Sequence, residues 1–134
     1  MSNAQLKAYK VIEITFKNNV QEKTQFKLGN KVSHNVKYGA KGICEAVLTV
    51  EVSDKEKPDV LSVKVVVNGI FAINPDVEKE FIHVETFKEL FPYAKALVTT
   101  ITANAGIQPI IVKNVDIENQ EIYRWNVKGD TKGE

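Results

Sequence analysis

Two stretches constrain this chain more than any other feature. In residues 44–52, Cys44, Ala46, Leu48, Val50 and Val52 alternate with Glu45, Thr49 and Glu51; in residues 60–73, Leu61, Val63, Val65, Val67, Phe71 and Ile73 lie opposite Lys64 and Asn68. An apolar residue at every second position describes a strand with one buried face. The segment DKEKPD turns the chain between the two. Ile12, Ile14 and Phe16 alternate with Glu13, Thr15 and Lys17, the period of a half-buried strand, which predicts a strand over 9–17 with one core face. Residues 31–38 alternate weakly. The 60–73 segment reads as the longest strand, although its Asn68-Gly69 is also the dipeptide of a two-residue hairpin. A continuous strand, bulged or closely approached at Gly69, is preferred because Phe71 and Ile73 keep the parity of the residues before them.

Residues 18–30, NNVQEKTQFKLGN, are polar apart from Val20, Phe26 and Leu28, and read as a long connection of the kind that carries function. Asn74-Pro75-Asp76 has the chemistry of a helix start. The stripe Val77, Phe81, Val84 and then Phe87 or Leu90 and Phe91 predicts a first helix. Pro92 ends that helix and opens a second. Ala94, Leu97, Val98, Ile101 and Ala105 form the face of the second, and Gly106 supplies a left-handed stop. Beyond it, Ile110–Val112 and Ile122–Val127 read as extended, and KGDTKGE as a flexible tail. The division expected is one domain over 1–128 and a tail over 129–134, with no weight given to Met1-Ser2-Asn3-Ala4.

With 134 residues, 43% of them hydrophobic, the chain is long enough to bury a core. A net charge of +1 and scattered lysines without interleaved aromatics argue against nucleic acid or an anionic membrane as partner. No apolar run is long enough to insert in a bilayer, so a cytoplasmic location is expected. His34 and His83 have no metal-ligand spacing, and Cys44 takes the apolar parity of its strand. Nucleophile-elbow, phosphate-loop and dinucleotide motifs are missing. Glu45 and Glu51 read as a solvated strand face, so neither an enzyme nor a bound cofactor is expected.

The ordered combination NGIFAIN, LFPYAK and AGIQPIIVKNVD resembles the SecB export-chaperone family, and YKVIEITFK resembles that family's first strand. The resemblance implies an α+β fold: a four-stranded antiparallel sheet with a crossover loop after strand one, and two helices on one side. It also implies a homotetramer built as a dimer of dimers. The implied activity is ATP-independent holding of unfolded polypeptide clients in apolar grooves bordered by the crossover loop and the second helix. Candidate groove residues are Phe26 and Leu28 in the loop, Val36 and Tyr38 on the next strand, and Leu97 and Ile101 on the second helix. For each of these the alternative is plain core packing. Family members that deliver to the SecA motor present carboxylates on strands one and four. Glu13 retains one such position as a partner-binding candidate, whereas Lys17 and Lys64 reverse two and Ser62 replaces an apolar one. These changes argue against SecA and fit another client, such as an aggregation-prone antitoxin. Two other readings stay open. One is a small-ligand protein or enzyme using Tyr93, Thr99 and His83; the other is a structural oligomerisation module.

Overall fold

The computed structural model describes residues 3–21 and 26–115. They form β1 (Ala4–Asn18), β2 (Leu28–Tyr38), β3 (Ile43–Asp54), β4 (Leu61–Ile73) and α1 (Lys79–Ala103). All neighbouring strands are antiparallel, in the order β1-β4-β3-β2. Consecutive β1 and β2 thus lie at opposite edges of one sheet. Residues 22–25 of their connection lie outside the described residues, as do Ile122–Val127 and the KGDTKGE tail.

The alternation in β3 and β4 becomes the helix-facing side of the sheet. Cys44, Ala46, Leu48, Val50 and Val52 are fully buried there with Leu61, Val63, Val65, Val67 and Phe71. Asn68-Gly69 makes no turn: it pairs without a break to Val47 and Ala46 on one side and to Lys10 and Tyr9 on the other. Gly69 is a close approach. A Cβ built on it would lie 2.8 Å from Cε1 of Phe71, 2.9 Å from Cδ2 of Leu90 and 3.0 Å from Cδ1 of Leu6.

The longest strand is β1, with 15 residues against 13 in β4. Its register shifts between Leu6 and Ala8 and again between Val11 and Glu13. The second bulge brings Tyr9 and Val11, then Ile14 and Phe16, onto one side of the sheet despite their opposite parity. The expected core face over 9–17 is formed only in part. Tyr9 and Phe16 are half-buried against the core, whereas Ile12 and Ile14 are 50% exposed, because β1 is an edge strand and α1 packs chiefly on β3 and β4. Asn3 and Ala4, given no weight above, are part of the fold. Ala4 is buried, and the backbone N–H and side-chain amide of Asn3 donate to Glu85 at 2.9 and 3.0 Å.

One helix stands where two were expected. Pro92 lies inside α1, on the exposed side with Lys88, whose carbonyl loses its N–H partner. Facing water, that carbonyl can be hydrated. Leu90, Phe91 and Ala94 flank the proline and are all buried, so both halves of the helix are held on one surface. Burying a large apolar side chain contributes about 1.5–3 kcal/mol, enough for Leu90 and Phe91 together to offset the roughly 3 kcal/mol cost of an interior proline. The start also differs. Oδ1 of Asn74 accepts from the Asp76 N–H at 3.0 Å, which makes a local turn and leaves Glu78 as the helix N-cap.

The buried side of α1 includes Ile82, Thr86, Leu90, Ala94, Val98 and Thr102, each four residues from the last, while Phe81 is 54% exposed. At about 100° per residue, such a row turns by about 40° at each step. In its first half Thr86 meets His34 of β2 and Leu90 closes on Gly69 of β4; at its end Thr102 meets the segment that returns after the helix. Both buried threonines are satisfied locally, Thr86 donating to Ile82 O and Thr102 to Val98 O, each at 2.9 Å. The helix ends at Ala103, and Gly106, at φ 82°, turns the chain back.

Candidate functional site

The return segment is built by the last turns of α1. Oγ1 of Thr99 donates to Ile110 O at 2.7 Å, and the Ile110 N–H donates to Oγ1 of Thr102 at 2.8 Å. This pins Ile110 and Val112 inward and leaves Ile111 78% exposed. The start of the β1–β2 connection is pinned separately: Asn19 donates from its backbone to Val60 O and from its side chain to Asp59 O, each at 2.7 Å, and the Asn18 side chain donates to Ala105 O at 3.1 Å. Between the two segments lies a groove of about 520 Å³. Val20, Phe26, Leu28 and Leu61 line one part of it, and Ile107, Pro109, Ile110 and Ile111 another. Among the described residues, Gln21 and Gln108 are its polar side chains and none of the lining residues is ionisable.

The sequence-derived candidates separate in space. Phe26 and Leu28 line the groove. Val36 and Tyr38 lie toward the other end of β2, where the Tyr38 hydroxyl donates to Lys79 O at 3.2 Å and Nζ of Lys79 lies 4.8 Å from the ring centre. Leu97 and Ile101 are half-buried against the core and do not line the groove. Glu13 is on the open face of the sheet, 3.6 Å from Nζ of Lys64 and accepting from the Thr15 hydroxyl at 3.0 Å. Sequence reasoning missed the groove wall at Ile107–Ile111. Its signal was an apolar run punctuated by Gly106 and Pro109, which cannot complete a strand ladder.

The groups with shifted pKa values lie elsewhere, and burial is the leading cause for each. His34 is held down to about 3, by burial and then by His83; His83 is held down to about 4 by burial. Their rings meet edge-on at 5.0 Å, and Phe87 packs edge-on against His34 at 5.5 Å. Thr86 has one proton, already committed to its own helix, so the Nε2–H of His34 donates to Oγ1 of Thr86 at 2.9 Å. Burial pushes the Cys44 thiol up to about 11 and the Tyr38 hydroxyl to about 12, the latter also raised by Cys44. Tyr93 stacks on Tyr9 with ring centres 4.5 Å apart. The polar groups considered for a small-ligand pocket, Tyr93, Thr99 and His83, are thus engaged in three separate places. Among the described residues, no three His, Cys, Asp or Glu side chains are grouped to hold a metal ion.

A four-stranded antiparallel sheet with one long helix on one face, and a groove with Phe26, Leu28 and Ile111 in its wall beside the helix end, defines an α+β scaffold. The family model described as preprotein translocase subunit SecB matches residues 7–128, and the chain belongs to that family. It is 37% identical over 87 residues to the protein-export protein SecB of Dechloromonas aromatica, covering 62% of this chain and 57% of that one. With the SecB of Caulobacter vibrioides it shares 30% identity over 89 residues, or 63% and 55% of the two chains. The chain thus spans little more than half the length of these relatives. An uncharacterized protein of Methanocaldococcus jannaschii is 28% identical over 108 residues, 75% of this chain and 70% of that one. Among solved structures, a SecB-like chaperone of Mycobacterium tuberculosis, in complex with a peptide from an antitoxin, superposes with a TM-score of 0.61 at 12% identity. The superposition covers 85% of this chain and 88% of that one, and shows the shared fold.

Proposed function

We propose that this protein is a SecB-like holdase that binds non-native polypeptide in the groove between the β1–β2 connection and the segment after α1. The observation that carries this reading is the apolar wall at Phe26, Leu28 and Ile111, accessible from outside and, among the described residues, without an ionisable side chain in the lining. Such a surface lowers the free concentration of aggregation-prone chain by binding its unfolded state, and needs neither nucleotide nor a titrating group. Family membership supports the reading. The antitoxin peptide carried by the mycobacterial neighbour supports an antitoxin as one class of client. In an aggregation assay with a chemically unfolded client, near-stoichiometric amounts should suppress light scatter without ATP. An unchanged aggregation rate at several-fold excess would refute a holding function.

Two further parts of the proposal concern partners. Val11, Ile12 and Ile14 on edge strand β1, with Phe81 on α1, are exposed apolar residues of the kind an assembly covers. Multi-angle light scattering should return a homotetramer, and a monodisperse monomer at micromolar concentration would contradict the dimer-of-dimers. The second partner is SecA. Lys17 pairs with Asp59 at 3.3 Å, and Lys64 pairs with Glu13, so the carboxylates near these lysines are already matched. Calorimetry should show weak or no SecA binding, increased by Lys17→Glu with Lys64→Glu. Tight, salt-sensitive binding by the wild type would reverse that reading. A cytoplasmic location belongs to the same proposal, and among the described residues no helix is long and apolar enough to cross a membrane.

A further inference from the structure

The two edges of the sheet are unlike. β1 is broken by two register shifts, which is how natural sheets discourage added strands. β2 pairs with β3 through all 11 of its residues without a shift and contains no proline. Its outer backbone groups can be assigned. Lys55 N–H donates to Lys27 O and Gly39 N–H donates to Ile43 O, each at 2.8 Å, so odd-numbered residues bond to β3 at both ends of the ladder. Alternation along an antiparallel pair then points the N–H and C=O groups of Asn30, Val32, His34 and Val36 away from β3, toward the free edge.

Side chains at that edge have their own pattern. Val32 and Val36 are half-buried on the helix side, where a further strand would cover them. Lys31 and Lys37 are exposed on the open face, six residues apart, and neither has an ion-pair partner among the described residues. Glu45, opposite Lys37, is turned toward β4 by a 2.6 Å hydrogen bond from the Asn68 side chain. Glu51 stands between Lys31 and Lys64 in register. The next strand outward therefore meets two lysines that hold no ion pair among the described residues, each set across from a glutamate of β3, with apolar positions between them.

We propose that the free edge of β2 is a strand-addition site for an extended polypeptide segment in which apolar residues alternate with polar ones and acidic residues meet Lys31 and Lys37. Leu28, the first residue of β2, also lines the groove, so one extended chain can run from groove to edge. This inference rests on the client-binding reading and names the chemistry of the client. Main-chain hydrogen bonds supply sequence-tolerant affinity, and the lysines select acidic segments.

The test uses a labelled peptide, Glu-Val-Thr-Val-Thr-Val-Glu, followed by fluorescence anisotropy and by hydrogen exchange of the intact protein. In the antiparallel register that sets the two Glu residues against Lys37 and Lys31, binding should slow exchange at Val32, His34 and Val36, whose amides face outward, and not at Lys31, Ser33 or Asn35, which already bond to β3. Replacing the terminal Glu residues by Lys should weaken binding about tenfold, and Lys31→Glu with Lys37→Glu should reverse that preference. N-methylation of the valines should remove binding, while N-methylation of the threonines should leave it. Equal binding of the two N-methylated peptides, or a charge preference unaffected by the lysine reversals, would overturn the proposal. So would protection of the same amides that rises with protein concentration alone, since it would assign the edge to a second copy. A wild type that binds unfolded protein but not this peptide refutes strand addition and leaves the groove intact; one that binds neither refutes the holding function as well.

Discussion

Lowering the pH from 7.5 to 4.5 should remove about 5 kcal/mol of folding stability through two side chains alone. His34 and His83 are buried neutral, with pKa values held near 3 and 4 against an ordinary 6.5. The unfolded chain takes up their protons below about pH 6.5, and the folded chain does not until the lower values are reached. Their stabilisation is therefore nearly complete above pH 6.5 and is lost as pH falls, at about 1.4 kcal/mol per unit for each histidine. Native domains are stable by only about 5–15 kcal/mol, so denaturant midpoints should fall steeply across this window. His34→Leu removes one titrating group and one unpartnered ring nitrogen, Nδ1, while Thr86 keeps its bond to Ile82. The variant should show a markedly shallower pH dependence. A slope identical to wild type would show that His34 is not the group responsible.

The second large effect is expected at Gly69. Its missing Cβ is the space occupied by Leu90 from the helix, Leu6 from β1 and the ring of Phe71, all within 3.0 Å of where that carbon would stand. Phe71 and Leu90 are fully buried in a core that cannot expand freely. Gly69→Ala should cost about 1–3 kcal/mol, and Gly69→Val, with two more carbons in the same space, should exceed it. Adding Leu90→Ala to Gly69→Ala should cost less than the sum of the single changes, since the truncated side chain makes room. Equal denaturant midpoints for wild type and Gly69→Ala would contradict the close packing.

This glycine also shows what a sequence can and cannot disclose. Alternation carried β3 and β4 to nearly their observed limits, since a strand covered on one face must repeat every second residue. The same rule held only in part on β1. There a bulge changes the parity between Val11 and Ile14, and an edge strand exposes residues whose pattern is that of a core face. Pro92 misled for a related reason. Its local effect on the backbone is real, but buried Leu90, Phe91 and Ala94 hold both halves of α1 against the core, and only tertiary packing reveals that. His83 and Thr86 have polar names and buried positions, a combination that becomes legible once His34 is placed opposite them. Of the groove, Phe26 and Leu28 stood out as apolar residues in a polar connection. Ile107 to Ile111 did not, because their role depends on the chain turning back at Gly106 and bonding to Thr99 and Thr102.

Client binding in the groove predicts a difference in the affinity of an unfolded polypeptide for wild type and for Phe26→Ala with Leu28→Ala. Leu28 is 38% exposed and Phe26 only half-buried, so the double substitution should cost far less stability than the roughly 3–5 kcal/mol of a fully buried Phe→Ala, and leave the mass in solution unchanged. Each side chain covered by a client contributes up to about 1.5–3 kcal/mol, so a partial contribution from both predicts affinity weakened about tenfold to a hundredfold. That loss, in a variant with native thermal unfolding, is the predicted result. An unaltered affinity in a fully folded double variant would contradict the groove as the client site.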